Sequence, residues 1–236
     1  GNILAETDAL GAVQTYAYDA VGRMTKVTDA LGNVTQYAYD AGDNLANVTD
    51  ANGNGTSYAY DLAGNLTSET DALGNTIRYD YTPEGWLSQI TKADGETILY
   101  EYDKTGNVTK ETTSDGVVTA HAYNQIGELV TTTDADGETK YQYNDKGRLS
   151  YVVNPTGEVV RYTYDEYGRK TILNYPDGRT VAYAYDDMDR LIGVKGLDGT
   201  KTTYAYDAAG RRTETKGSNL TTTYAYDAIG NLTRQQ

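Results

Sequence analysis

Few side chains in this sequence could carry out covalent chemistry. The chain has no cysteine and one histidine, His121, whereas nucleophilic catalysis needs a nucleophile, a base and a group that orients the base. The neighbouring acids Asp186 and Asp187 could form a glycosidase pair, but they fall in a turn-like segment. His121 stands in a position that tyrosine holds elsewhere, which favours a structural substitution. We therefore predict that the chain is not an enzyme.

Metal and cofactor sites have little support in the sequence. Zinc sites need cysteine or clustered histidine, and neither is present. The segment Asp134-Ala135-Asp136-Gly137 is the pattern closest to a calcium loop, but a tight calcium site needs more converging oxygens. The competing interpretation is an aspartate that closes its own turn. Gly53-Asn54-Gly55 reads as a turn variant and not as a phosphate loop. The sequence predicts no cofactor and no metal.

A tyrosine repeat organises the whole chain. The pattern Tyr-x-Tyr-Asp, or a close variant, recurs eleven times in steps of 21 residues, with two steps of 20. A period held this strictly indicates a repeat architecture. The first position of the pattern falls at Tyr16, Tyr37, Tyr58, Tyr79, Tyr100, His121, Tyr141, Tyr162, Tyr183, Tyr204 and Tyr224.

Each repeat has the features of one β-hairpin. In residues 22–42, two segments rich in β-forming residues alternate with two turns of the type Asp-x-x-Gly. The aspartate can accept a backbone N–H two residues on, and the glycine can take a positive φ. This predicts a three-residue loop in which a left-handed residue follows a type I turn. Asp43, Asp189 and Asn219 stand in glycine positions and are predicted to take the same conformation.

The two faces of the tyrosine strand differ in polarity. Both tyrosines of a pair share a face that we predict to be half-buried, and the residues between them lie on a wet face. The strand that follows gives no clean assignment. Its apolar residues, such as Met24 and Val27, lie three positions apart, which simple alternation places on opposite faces.

The tyrosines themselves admit two interpretations. The chain has 24 tyrosines and no phenylalanine, which indicates that the hydroxyl group has a role. Packed wall residues in a cross-strand ladder are the favoured interpretation. The alternative is a carbohydrate-stacking surface. Trp86, the only tryptophan, could face outward, although structural filling is the favoured interpretation for it.

These features predict an all-β fold of tandem antiparallel β-hairpin repeats. Roughly 22 strands about 4.8 Å apart form too wide a sheet to stay flat, so we expect it to curl or spiral as the wall of a hollow β-shell. A parallel β-solenoid with one coil per repeat is the rival. The two 20-residue steps predict local faults, between Gly137 and Tyr141 and between Gly210 and Asn219, that a turn or bulge absorbs.

Charge and hydropathy exclude several partners. The net charge of −14 argues against nucleic acid and against an anionic membrane surface. No apolar run approaches the roughly 18 residues of a membrane span, and no signal peptide is evident. Gly1-Asn2-Ile3 matches Gly64-Asn65-Leu66, and the C-terminal segment Gly230-Asn231-Leu232 falls at the same position of the repeat. We therefore expect residues 1–236 to be one array cut within a repeat at both ends, a fragment of a longer protein.

The signature Tyr-x-Tyr-Asp-x-x-Gly-(Arg/Asn)-Leu resembles the YD repeat of the Rhs and teneurin group, along the whole chain. Residues 58–67 and 204–211 match it closely. The resemblance implies a spiral of β-hairpins that forms a hollow shell. In bacterial members the shell encloses a polymorphic toxin or a toxin-complex component, and in animal members it is a scaffold for adhesion. The bacterial self-cleaving core motif is rich in Asp-Pro, and no Asp-Pro pair occurs here.

Two functions follow from this resemblance. The first is a structural segment of a shell that encapsulates a toxin or other C-terminal cargo. The alternative is an extracellular adhesin or fibre module that binds carbohydrate or a partner protein. The implied partners are the rest of the same polypeptide, namely a cargo or toxin domain and a capping core domain, with self-association through sheet edges. The implied location is secreted or cell-surface, with bacterial export.

The predicted site residues are structural: the paired tyrosines, the turn aspartate and the turn glycine. They are Tyr16, Tyr18, Asp19, Gly22, Tyr37, Tyr39, Asp40, Tyr58, Tyr60, Asp61, Gly64, Tyr100, Tyr102, Asp103, Gly106, Tyr162, Tyr164, Asp165, Gly168, Tyr204, Tyr206, Asp207 and Gly210.

Overall fold

The computed structural model describes residues 2–236, which form only β-strands and the turns between them. No helix occurs in that range, and so none that could cross a membrane. Every strand pairing within it is antiparallel, from the first pair to the last. The hairpin prediction is confirmed and the parallel solenoid is excluded. The comparison of Gly1 with Gly64 falls outside the described residues.

The chain divides into two compact units, Gly1–Ala120 and His121–Gln236. In each unit the described strands pair with their neighbours in chain order. The first unit holds β1 (Ala5–Thr7), β2 (Val13–Tyr18), β3 (Met24–Thr28), β4 (Val34–Tyr39), β5 (Leu45–Thr49), β6 (Gly55–Tyr60), β7 (Leu66–Thr70), β8 (Thr76–Tyr81), β9 (Leu87–Thr91), β10 (Thr97–Tyr102), β11 (Val108–Thr113) and the first half of β12 (Val118–Tyr123). The second unit continues with β13 (Leu129–Asp134), β14 (Gly137–Tyr143), β15 (Leu149–Val153), β16 (Val159–Tyr164), β17 (Lys170–Asn174), β18 (Thr180–Tyr185), β19 (Leu191–Lys195), β20 (Lys201–Tyr206), β21 (Arg212–Lys216), β22 (Thr221–Tyr226) and β23 (Leu232–Gln235).

Even-numbered strands carry the tyrosine pairs and are called tyrosine strands; odd-numbered strands are called companion strands. In β4 both Tyr37 and Tyr39 are half-buried while Gln36 and Ala38 are exposed, as the sequence predicts. Among residues 2–236 no hydrophobic side chain is fully buried. Stability in such an array therefore comes from many half-buried contacts between neighbouring repeats.

A β-bulge explains the irregular companion strands. Ala17 pairs with Lys26, but Tyr18 pairs with Met24, so Thr25 is an extra residue in the companion strand. The bulge brings Met24 to the same face as Val27, which lies opposite Tyr16. The bulge thus gives the companion strand the assignment that simple alternation could not provide. The same shift recurs in all ten described pairs of a tyrosine strand with the companion strand that follows it.

Both 20-residue steps lie in shortened turns, which confirms that they are local faults. Asp134 pairs directly with Gly137 across two loop residues, so the first deletion precedes Gly137 and does not follow it as predicted. In the second, the amide of Gly217 donates to the carbonyl of Leu220 at 2.8 Å, again across two residues. Because this loop is shorter, Asn219 is not left-handed, and that prediction is wrong.

Candidate functional site

Eight of the eleven described turns after tyrosine strands are closed by their own aspartate, and Thr82, Asn124 and Asn144 take its place in the other three. In the first complete one, the amide of Gly22 donates to the carbonyl of Asp19 at 3.1 Å, and Gly22 has a φ of 92°. Oδ1 of Asp19 accepts the amides of Val21 at 3.1 Å and Arg23 at 2.9 Å. Asp43 and Asp189 take the left-handed position with φ values of 68° and 62°, as predicted. The aspartate of the repeat signature is thus committed to backbone donors.

These hydrogen bonds hold the aspartates in the charged form. An amide from Asn65 is the main cause that lowers the pKa of Asp61, and Asn44 does the same for the pKa of Asp40. At Asp165 burial acts to raise the pKa, but the hydrogen bond from Arg169 and the turn amides outweigh it, so the pKa of that carboxyl is lowered. A carboxylate of this kind is a poor general acid at neutral pH, because it stays ionised.

The turns after companion strands use two versions of the same closure. Where the turn begins with aspartate, as at Asp29, Oδ1 accepts the amides of Leu31 and Asn33 at 2.9 and 2.8 Å. Where it begins with lysine, threonine, tyrosine or glycine, the third position supplies the carboxylate: Asp94 accepts the amide of Glu96 at 3.0 Å. Asn154 closes its turn with its own amide oxygen, which accepts the amide of Glu158 at 2.8 Å.

When a repeat is counted as a tyrosine strand with the companion strand that follows it, the second tyrosine of most pairs bonds to the repeat before it. The Tyr39 hydroxyl donates to the carbonyl of Met24 at 2.8 Å, fifteen residues earlier. This bond accounts for a chain with tyrosine and no phenylalanine, since the ring packs while the hydroxyl satisfies a backbone carbonyl. Nine tyrosines make it: Tyr18, Tyr39, Tyr81, Tyr102, Tyr143, Tyr164, Tyr185, Tyr206 and Tyr226.

The residue after the turn glycine forms the second connection between repeats. Nε of Arg190 donates to the carboxylate of Asp186 in its own turn at 2.7 Å. Its Nη1 donates to the carbonyl of Asp207 in the next repeat at 3.1 Å, and its guanidinium lies 5.0 Å from the ring centroid of Tyr206. We call this arrangement of carboxylate, carbonyl and tyrosine ring the guanidinium seat.

Five arginines occupy such seats, although two of them lack one of the three contacts. Their guanidinium carbons lie 4.7 to 5.9 Å from the centroid of the tyrosine ring in the next repeat. A guanidinium over a tyrosine face is attracted by the ring electrons, and its planar fork suits two oxygen acceptors at once. The arginines are Arg23, Arg148, Arg169, Arg190 and Arg211.

Trp86 stands in the arginine position of its repeat and packs in the same direction. Its ring centroid lies 5.2 Å from that of Tyr102, with the planes inclined at 43°. A Cβ atom on Gly106, whose φ is 88°, would approach Cζ2 of Trp86 to 3.0 Å. The tryptophan therefore covers the next turn, and glycine is needed there for both conformation and space.

Asparagine in the same position does not reach the next repeat. Nδ2 of Asn65 donates to Oδ2 of Asp61 in its own turn at 2.9 Å. An open groove of about 600 Å³ lies beside it, lined by residues that include Tyr81 and Thr82 of the next repeat. The side chain of Asn65 therefore stays within its own turn, whereas the amide of Asn2 donates to the carbonyl of Gly22 at 3.2 Å.

The first tyrosine of each pair lies opposite a residue of the companion strand: Tyr37 pairs with Val48, and Tyr79 with Ile90. His121 takes this position in β12, where it is half-buried and its Nδ1 lies 3.1 Å from Oγ1 of Thr132. Across residues 2–236 no group of three or more acidic, histidine or cysteine side chains could hold a metal ion.

The predicted signature residues occupy equivalent places in every repeat where the structure describes them. The tyrosines line one face, the aspartates close the turns, and the glycines take positive φ. Sequence reasoning did not identify the guanidinium seats. The available signal was a pairing between Arg or Trp after a turn glycine and the tyrosine sixteen residues later, fifteen in the shortened repeat, as in Arg169 and Tyr185.

Comparison with solved structures supports the same architecture. The chain is similar to TcdB2-TccC3-TEV with a TM-score of 0.65 and 17% identity, over 97% of this chain and 16% of that chain. It is also similar to the Photorhabdus luminescens Tc holotoxin pore carrying a TccC3 mutation, with a TM-score of 0.69 and 18% identity over 97% of this chain and 15% of that chain. The chain therefore spans about one sixth of the length of these proteins and shares their fold. No curated protein sequence matches it.

A hairpin-repeat protein of this kind has a family assignment. The model described as RHS Repeat matches overlapping segments that cover well over half of the chain. The chain belongs to the RHS repeat family. The matched segments are residues 1–34, 18–56, 39–76, 60–97, 81–118, 102–139 and 143–180.

Proposed function

We propose that this chain is a wall segment of an Rhs-type shell that encapsulates a toxin or other cargo carried by the same polypeptide. The observation that carries the proposal is the use of the repeated polar groups. The turn aspartates hold backbone amides, and the second tyrosines and the arginines bind the adjacent repeat. Because these recurring side chains are engaged in turns and in contacts between repeats, they support a structural role in a wall better than a catalytic one.

The remaining parts of the proposal concern the whole protein. Residues 1–236 form one array, and the signature tyrosines, aspartates and glycines build its wall. The array associates with a cargo domain and a capping core domain of its own polypeptide, and the protein is secreted or displayed at the cell surface. The similarity to Tc toxin components, which are about six times longer, supports this organisation.

Protease protection tests encapsulation directly. The full polypeptide that contains this array is treated with a protease, and the cleavage rate of its C-terminal segment is measured. The expected result is slow cleavage that becomes at least tenfold faster when whole repeats are deleted from the array. Equal cleavage rates with and without the deletion would exclude encapsulation.

A glycan-binding assay separates the proposal from the adhesin alternative. The purified chain is applied to immobilised polysaccharides, together with a Tyr79→Ala variant. The proposed wall function predicts no saturable binding by either protein. Saturable binding that the Tyr79→Ala variant loses, while it keeps its folded β-signal, would favour the adhesin.

A further inference from the structure

One guanidinium seat in the first unit lacks an arginine. Asn65 stands where Arg190 stands in its own repeat. The other parts of the seat are present beside it: the carboxylate of Asp61, the ring of Tyr81 and the carbonyl of Thr82, all of which line the groove of about 600 Å³. The same fold thus presents a seat that is filled at Arg190 and open at Asn65.

The open seat keeps acceptors for a cation. Oδ1 of Asp61 is occupied by two turn amides, but Oδ2 accepts only Nδ2 of Asn65, at 2.9 Å. A carboxylate oxygen can take a second donor. The carbonyl of Thr82 accepts the amide of Gly85 at 2.9 Å, which leaves one lone pair.

The filled seat shows that such a carbonyl can accept two donors at once. The carbonyl of Asp207 accepts the amide of Gly210 at 3.0 Å and also Nη1 of Arg190 at 3.1 Å. The turn around Thr82 has the same amide bond, although threonine stands in place of aspartate and no guanidinium reaches the carbonyl. The backbone acceptor that receives arginine at one seat is therefore available at the other.

The charge and the aromatic surface of the groove favour the same ligand. The acidic residues Asp80 and Glu84 are among its lining residues in addition to Asp61, so the groove lies in an acidic part of the surface. The ring of Tyr81 is fixed because its hydroxyl donates to the carbonyl of Leu66 at 2.8 Å. A fixed ring beside carboxylates suits a planar, weakly hydrated cation better than a compact ammonium ion.

We propose that the groove beside Asn65 binds a guanidinium group, supplied either by an arginine side chain of a polypeptide segment or by a small guanidinium compound. The cation would stack on Tyr81 and donate to Asp61 and to the carbonyl of Thr82. We call the boundary between two neighbouring repeats a seam. This site does not depend on encapsulation, because all its residues lie at one seam of the first unit.

The test is an NMR titration of the chain with N-acetyl-arginine amide at constant ionic strength. The expected dissociation constant is on the order of 1–10 mM, with shifts at Asn65, Tyr81 and Gly85. The lysine analogue should bind at least fivefold more weakly. A lack of saturable shifts up to about 50 mM, or equal affinity for lysine, would overturn the proposal.

Two further ligands distinguish the sources of the guanidinium. Methylguanidinium carries the cation alone, and a capped Gly-Arg-Gly peptide adds a backbone. Binding of the peptide at least tenfold tighter than methylguanidinium supports a polypeptide ligand. Similar affinities support a small guanidinium compound. Saturation by the peptide with shifts outside the groove would contradict the site.

Variants test the location of binding. Asn65→Arg places an arginine side chain of the protein itself in the seat and should therefore abolish ligand binding. The substitution removes no packed group, so a loss of binding would not be explained by unfolding. Tyr81→Leu should weaken binding at least fivefold. Tyr206→Leu is the matched control, because its seat already holds Arg190, and it should leave the affinity unchanged. Unaltered binding by Asn65→Arg would contradict the proposal.

Discussion

The boundaries between repeats at Asn65 and at Arg190 share the same turn and strand arrangement, but different residues follow the turn. Both follow a left-handed residue that ends an aspartate-closed turn, Gly64 in one and Asp189 in the other, and both face a tyrosine bonded to the previous companion strand. Arg190 contacts its own aspartate, the next carbonyl and the next ring, whereas Asn65 contacts only its own turn. The residue after the turn therefore sets how strongly a repeat is joined to the next one.

This difference is distributed unevenly along the chain. Four of the five seated arginines belong to the second unit, and the first unit has only Arg23 together with Trp86 and several asparagines. In a repeat array, stability is a sum of the stability of each repeat and of its interfaces with its neighbours. We expect the second unit to have the stronger interfaces and the more cooperative unfolding.

Removing the tyrosine ring should produce the largest effect. Tyr206→Ala loses the packed ring, the hydroxyl bond and the surface for Arg190, and we expect a loss of about 3 kcal/mol in the free energy of unfolding. Tyr81→Ala in the asparagine seam should cost about 1 kcal/mol less, since no cation rests on that ring. Urea denaturation of both variants measures the difference. Equal losses in the free energy of unfolding would show that the arginine adds no stability through the tyrosine ring.

Removing the connecting side chain should have the next largest effect. Arg190→Ala should cost about 2 kcal/mol, because it removes a stacked cation and a charge-assisted hydrogen bond between repeats. Asn65→Ala should cost less than about 1 kcal/mol, because its amide holds only its own turn. Urea midpoints that rank the two variants in the opposite order would contradict the account.

Removing a single hydroxyl should have a smaller effect. Tyr206→Phe leaves the carbonyl of Leu191 without its donor at 2.8 Å and should cost about 1 kcal/mol. Tyr60 is the matched control, because its hydroxyl has no hydrogen bond within the described part of the chain. Tyr60→Phe should be nearly neutral. Thermal melts of the two variants test the role of the hydroxyl. An unchanged melting temperature for Tyr206→Phe would show that the hydroxyl hydrogen bond does not stabilise the array.

Acid should weaken the turns that aspartate carboxylates close. Amides of Asn65 and Asn44 lower the pKa of Asp61 and Asp40 in the folded chain. A lowered folded pKa gives stability that is present above the ordinary carboxyl pKa of about 4 and is lost as the pH falls through the folded value. The melting temperature should stay nearly constant from pH 7 to about 5 and fall below about 4. A melting temperature that rises in acid would contradict this assignment.

The fold could be predicted largely from the sequence because its rules are local. The Asp-x-x-Gly turns and the alternation around Tyr37 and Tyr39 each depend on neighbouring residues, and the structure confirms them. The bulge at Thr25 could not be derived from alternation, because an extra residue resets the pattern. The shortened loop at Asn219 was misread for a similar reason.

The guanidinium seats depend on contacts between repeats, which local patterns do not specify. Arg190 and Tyr206 are sixteen residues apart, and they meet only because two strands and the turn between them bring one repeat beside the next. A search for correlated residues at the repeat period would have found the pairing. The open seat at Asn65 could be recognised only in the structure, because the sequence at that position shows only an asparagine that other repeats also carry.

Native-state hydrogen exchange on the intact chain tests the central claim most directly. The account predicts slower exchange for the amides of β20, beyond the Arg190 seam, than for those of β8, beyond the Asn65 seam. In the double variant Arg190→Asn with Asn65→Arg, the order should reverse while the hairpins remain folded. Equal exchange in the two strands, or an order that the double variant leaves unchanged, would show that the residue after the turn does not control how repeats are joined.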